Sequence, residues 1–207
     1  MKVSTMFRTS VFLAASTAVL LSLLPSIAIA ELVIDFQSLE HVDGATGDHG
    51  LLYSEDGYTL TVDGSLGFVT FGTLEFRYTG STAMAMRQSP SLTTLTQDAG
   101  GAFGVTSIDL AELNGPNSAV IAFTGTLSGG GTTEQSFTLD GVAFGAETFL
   151  FNSTFENITS LSWSQGSSFH QFDNIQISAV PEPSSLLMVG IGMATLACRR
   201  RRTPVGT

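Results

Sequence analysis

The chain has 207 residues, with 18 Asp and Glu against 8 Lys and Arg, a formal charge of −10 and a single cysteine. That length suits one domain with a core of its own. The acidic balance excludes nucleic acid as a partner, since such binding rests on cation–phosphate contacts, and one cysteine excludes an internal disulfide.

The first element is a leader. Lys2 and Arg8 give a basic start, Val11 to Leu24 an apolar run, and Ala28-Ile29-Ala30 a small-residue cleavage site. This is the layout of a secretory signal peptide. Residues 1–30 are therefore expected to form a signal helix removed by signal peptidase, leaving Glu31 first in the exported chain.

From 31 to 180 no segment keeps helical periodicity for long. Short runs rich in Thr, Val, Ile, Phe and Leu alternate with Gly, Asn, Asp and Pro. The runs begin with Leu32–Phe36, Tyr58–Val62 and Phe68–Phe71, with Asp63-Gly64 between the last two as a hairpin signal. A helical turn is expected near Pro90. Strand patterns continue at Val105–Leu110, Ala119–Leu127, Gln135–Leu139, Thr148–Phe151, Leu161–Ser164 and Phe169–Ile177. Gly129-Gly130-Gly131 reads as a hairpin connection. Strands this short and this evenly spaced predict an all-β, antiparallel β-sandwich of jelly-roll type, its first and last strands close together.

The ends conceal the charge of this domain. Six of the eight Lys and Arg lie in the terminal segments, leaving Arg77 and Arg87 against seventeen acids, a charge of −15. Such a surface fits solubility outside the cell and divalent cations.

Strict alternation over Phe169–Ile177 places Phe169, Gln171, Asp173, Ile175 and Ile177 on one face and His170, Phe172, Asn174 and Gln176 on the other. A carboxylate on a mainly apolar face needs a partner. Asp173 either binds a cation or sits in a bulge and accepts local backbone hydrogen bonds. His41, Asp43, Asp48 and His49 gather around glycines, but their spacing matches no zinc motif and no EF-hand loop. They read as a solvated loop.

No catalytic residues emerge. Nothing singles out one carboxylate pair for glycoside hydrolysis, no Gly-x-Ser-x-Gly elbow is present, and Gly129–Gly131 lacks the lysine of a phosphate loop. Trp163 alternates with Leu161 and is assigned to the core. Tyr53, placed on a loop, is the aromatic candidate for stacking on a sugar.

The last element is Pro181-Glu182-Pro183, an uncharged run over 184–198, and Arg199, Arg200, Arg201 and Arg202. As a helix that run spans roughly 22 Å, short of the roughly 30 Å hydrocarbon core. Snorkelling arginines extend its reach and mark the cytoplasmic side. A short C-terminal transmembrane helix is expected, with residues 181–207 as a sorting unit.

This tail resembles the PEP-CTERM sorting signal of exported bacterial proteins. The resemblance implies processing by exosortase, a membrane-embedded cysteine protease, in Gram-negative bacteria that make extracellular polysaccharide. It implies an address, not an activity. Within the domain, Tyr53-Ser54-Glu55-Asp56-Gly57-Tyr58-Thr59-Leu60 and Phe172-Asp173-Asn174-Ile175 resemble phrases of PEP-CTERM ectodomains and of jelly-roll, galactose-binding-like carbohydrate-binding modules. In such modules a structural calcium links the first and last strands, which implies calcium ligands at Asp173 with Glu31 or Asp35. The expected function is a non-catalytic structural or adhesive protein of the envelope or extracellular matrix, binding calcium and polysaccharide. The alternative is a secreted glycan hydrolase or lyase on the same fold.

Overall fold

The computed structural model describes residues 31–180 except 117, 143, 167 and 168. The expected signal helix, the Pro181–Pro183 motif, the membrane segment and the Arg199–Arg202 cluster lie outside the described residues.

Among the described residues there are thirteen strands. The first seven are β1 (Glu31–Ile34), β2 (Thr46–Gly50), β3 (Leu52–Glu55), β4 (Tyr58–Val62), β5 (Phe68–Phe71), β6 (Met84–Met86) and β7 (Ser91–Gln97). Then come β8 (Phe103–Glu112), β9 (Val120–Leu127), β10 (Thr132–Thr138), β11 (Glu147–Leu150), β12 (Ile158–Gln165) and β13 (His170–Ala179). Every pairing is antiparallel, and the chain builds the expected β-sandwich. One layer runs β2-β5-β6-β13-β8-β11, with β1 beside the second half of β13. The other runs β3-β4-β7-β12-β9-β10. The bridge between Ile158 and Phe103 is the backbone join between the layers.

Side chains do the rest. Trp163 on β12 meets the edge of Phe172 on β13 with ring centroids 5.0 Å apart, and Tyr58 meets Phe103 at 5.4 Å. Phe172 also packs edge-on against Phe36 and Phe68. Such edge-to-face pairs add to the gain from burying the rings. Trp163 and Leu161 are buried, as their alternation predicts.

Three expectations give way. Asp63-Gly64 does not close a hairpin: β4 pairs with β3 and β7, whereas β5 pairs with β2 and β6, so the turn crosses between layers. Asp63 anchors that crossing by accepting from the Leu92 amide. Pro90 starts no helical turn and instead immediately precedes β7. The 3-10 turns lie at Gln37–Leu39 and Ser153–Phe155, the second capped by the Asn152 side chain accepting from the Thr154 amide at 2.9 Å.

The third concerns β13, whose alternation breaks at Asp173 and Asn174. Asn174 has φ 47°, and the β8 register slips between Asp173 and Gln176. An extra residue in one strand reverses the facing of everything after it. Phe172 and Ile175 therefore share the main core, while Phe169 packs on the opposite side of the layer. The five odd-numbered residues do not share one face.

Replacing Phe172 with Ala should cost about 3–5 kcal/mol in denaturant unfolding, the usual range for a fully buried Phe. Val120→Ala, at a 70% exposed position, should change stability by less than about 0.5 kcal/mol. Similar effects at the two sites would contradict this packing.

Candidate functional site

On the outer side of the β5-β6-β13-β8 layer a second apolar group stands apart from the main core. Val69, Phe71, Ala85 and Leu113 are buried there, with Phe169 packed against them. This explains why all four residues of β5 are buried: Phe68 faces the core between the layers, and Val69 and Phe71 face this outer group. A cleft of about 350 Å³ opens over it, bordered by Phe71, Leu113, Phe169, Asn114, Arg77 and Arg87.

The loop after β5 sets one wall. The amides of Gly72, Thr73 and Leu74 donate to the carbonyls of Ala45, His41 and Asp43. Gly72 is needed because a Cβ there would run into the Asp43 carbonyl oxygen. The chain then turns so that Arg77 Nε and Nη2 donate to Glu75 Oε1 at 2.9 and 2.7 Å, while Glu75 Oε2 accepts the Arg77 amide at 2.6 Å. Burial alone would raise the Glu75 carboxyl, but these Arg77 bonds hold it below its ordinary range. The guanidinium lies 4.2 Å from the centroid of the Phe71 ring, a cation–π distance. From the facing strand, Gln171 Nε2 donates to the Arg77 carbonyl at 2.9 Å. Arg77 is thereby fixed on three sides. Arg87, across the cleft, is ion-paired with Asp48 and more exposed.

Arg77 and Arg87 are the two cationic side chains of residues 31–180, and both border this cleft. The sequence marked them by scarcity but did not place them together. The cleft is assembled from strands distant in the chain, so no local pattern announces it.

The residues singled out from sequence lie elsewhere. Tyr53 is on β3 in the opposite layer, not on a loop. Its ring packs against Phe36 and its hydroxyl bonds to Ser38 and donates to Glu55, so it is half-committed to structure. Burial pushes its phenol up. His41 Nδ1 bonds to Asp43 at 2.7 Å and His49 Nε2 to Thr70 at 2.8 Å. Residues 46–50 of that expected loop form β2, which brings His49 against β5.

Of the expected calcium ligands, Asp35 follows Ile34, the partner of Ile175, and lies near enough to Asp173 for its charge to raise that carboxyl, whereas Glu31 lies farther along the strand. Glu31 pairs with Ser178, five residues along β13 from Asp173, about 16 Å at the rise of a strand. Asp173 has its oxygens taken by the Ser81 hydroxyl and, at 2.8 Å, the Asn174 amide. Asp35 accepts from the Gln37 amide at 3.0 Å. The bulge with local hydrogen bonds is present, and Asp109 stands opposite Asp173 in register.

Residues 179–202 match the family model of the PEP-CTERM protein-sorting motif. The chain carries a PEP-CTERM sorting signal. That signal marks it for export and exosortase-mediated sorting, as the tail's order of parts implies. Among the described residues no helix is long and apolar enough to cross a membrane. No curated protein matches the sequence. Among solved structures, a family 29 carbohydrate-binding module is similar at 12% identity and TM-score 0.43, over 77% of this chain and 99% of that one. A family 30 module has 14% identity and TM-score 0.37, over 73% and 100%. The C-terminal domain of a chitobiase from Bacteroides fragilis has 11% identity and TM-score 0.36, over 62% and 99%. Likeness this remote carries nothing about what the PEP-CTERM-tagged domain binds.

Burial raises the Asp173 carboxyl from 3.8 to about 7, with Asp109 and Asp35 adding to the rise against the Ser81 and Asn174 bonds. The unfolded chain releases this proton near pH 4 while the folded one keeps it to about pH 7. Stability should therefore fall as pH rises through that window. Asp173→Asn should remove most of that fall and raise the unfolding midpoint at pH 8 but not at pH 4. Equal midpoints for the two proteins at pH 8 would refute the assignment.

Proposed function

We propose that this is an exported, non-catalytic protein that holds polysaccharide at the outer surface of the cell through the Arg77–Arg87 cleft. The observation that carries this reading is that an acidic domain commits both of its cations to one aromatic-floored cleft. Guanidinium groups offer several fixed donors to ring hydroxyls or carboxylates, and the half-buried Phe169 ring suits the apolar face of a pyranose. Mostly apolar walls with a few placed polar groups are the usual make-up of a small-ligand site.

The same lining supports a binding role over hydrolysis. It contains Thr46, Met86 and Asn114 beside the apolar and arginine residues, and no Asp, Glu, His or Tyr. Glycoside hydrolysis ordinarily needs two carboxylates flanking the scissile bond. The paired Glu75 and Asp48 face the arginines instead of completing such a pair. The sorting signal supplies the address, and a polysaccharide-making envelope or matrix is where such a domain would work.

Affinity electrophoresis of the exported protein in gels cast with the host's own polysaccharide tests this reading. Arg87→Ala and Phe169→Ala should each weaken retardation roughly tenfold or more, about 1.4 kcal/mol, while Tyr53→Phe leaves it unchanged. Release of new reducing ends from that polysaccharide, lost on substituting a carboxylate, would establish the hydrolase or lyase reading instead.

A further inference from the structure

At the end of the sandwich where β10 passes to β11, three carboxylates converge. Glu112, Asp140 and Glu147 each present an oxygen within 4.8 Å of the other two. The backbone fixes this arrangement. Glu112 Oε1 accepts the Gly141 amide at 2.7 Å and Glu147 Oε1 accepts the Asp140 amide at 3.0 Å. Asp140 Oδ1 accepts the Val142 amide at 2.7 Å, so the turn is tied to all three acids.

A second observation points to a ligand. Glu112 is 1% exposed, and its Oε2 has no hydrogen-bond partner. A buried carboxylate oxygen without a donor is costly, and two more carboxylates beside it add repulsion. No cation of the domain relieves this, since Arg77 is paired with Glu75 and Arg87 with Asp48. His170, opposite Glu112 in the β8–β13 register, makes no hydrogen bond to it.

We propose that Glu112, Asp140 and Glu147 form a binding site for a hard divalent cation of the calcium type. The donor set is all oxygen, which favours calcium or magnesium over metals that prefer nitrogen and sulfur. Asp140 is exposed and Glu147 half-buried, which leaves room for the water and irregular geometry that calcium accepts and magnesium resists. The ion would also brace the turn carrying Phe144, a non-glycine residue at φ 59° whose ring meets the exposed Phe76 edge-on at 5.5 Å. This site shares no residue with the lining of the polysaccharide cleft and does not include Asp173.

The test uses the full chain in mild detergent, stripped with chelator and titrated with calcium chloride in a calorimeter, with melting followed in parallel. One calcium per chain should bind with a Kd of about 10⁻⁴–10⁻³ M, the range of extracellular modules, and should raise the unfolding midpoint. The double variant Asp140→Asn, Glu147→Gln sits on accessible side chains and should keep its circular dichroism. It should bind calcium at least tenfold more weakly, the loss expected from removing two ligand charges. Asp173→Asn should bind as the parent does. The proposal is overturned by absence of saturable calcium up to about 10 mM, well above that range, by unchanged affinity in the double variant, or by loss of binding in Asp173→Asn.

Discussion

The bulge at Asp173 and Asn174 is the constraint on which the rest of the molecule turns. β13 lies in the middle of its layer, with β8 on one edge and β6 then β1 on the other. Before the bulge Gln171 faces outward and holds the Arg77 carbonyl, and Phe169, just ahead of the strand, floors the cleft on the same side. After it, odd-numbered Ile175 and Ile177 face inward and complete the core with Phe172. A single inserted residue lets one strand serve both sides of the sheet. The cost is a buried carboxyl, Asp173, held by Ser81 and the Asn174 amide and raised by its surroundings.

Charge is arranged by the same economy. With seventeen acids and two arginines between 31 and 180, protein cations cannot neutralise most carboxylates. Where the arginines go is therefore informative, and both go to one cleft. Asp109, for one, relies on the Thr148 hydroxyl and the Asn174 side-chain amide. The Glu112 group has amide donors for part of its capacity and a buried oxygen left over.

Much of the fold was legible in the sequence because it is written in local alternation. Tyr58–Val62 and Phe68–Phe71 coincide with β4 and β5, and Ile121 and Phe123 are buried along β9 as alternation requires. Gly129–Gly131 closes the β9–β10 hairpin, with Leu127 donating to Gly131. What stayed hidden lacked a local signature. Met84-Ala85-Met86 has little strand propensity and becomes β6 because β5 and β13 flank it. β7 places Thr93 inside and Leu92 partly outside, the reverse of an ordinary pattern. The bulge defeats any two-residue period, and the cleft joins Thr46, Phe71, Leu113 and Phe169 through pairings between distant segments. The sorting signal was fully legible because its meaning resides in residue order alone.

The central claim, that the Arg77–Arg87 cleft is where this protein holds polysaccharide, is tested most directly by amide chemical-shift mapping of the exported protein titrated with fragments of the host polysaccharide. The account predicts saturable shifts concentrated at Phe71, Arg77, Arg87, Leu113 and Phe169. Shifts concentrated around Tyr53 on the opposite layer, or none at saturating fragment, would contradict it.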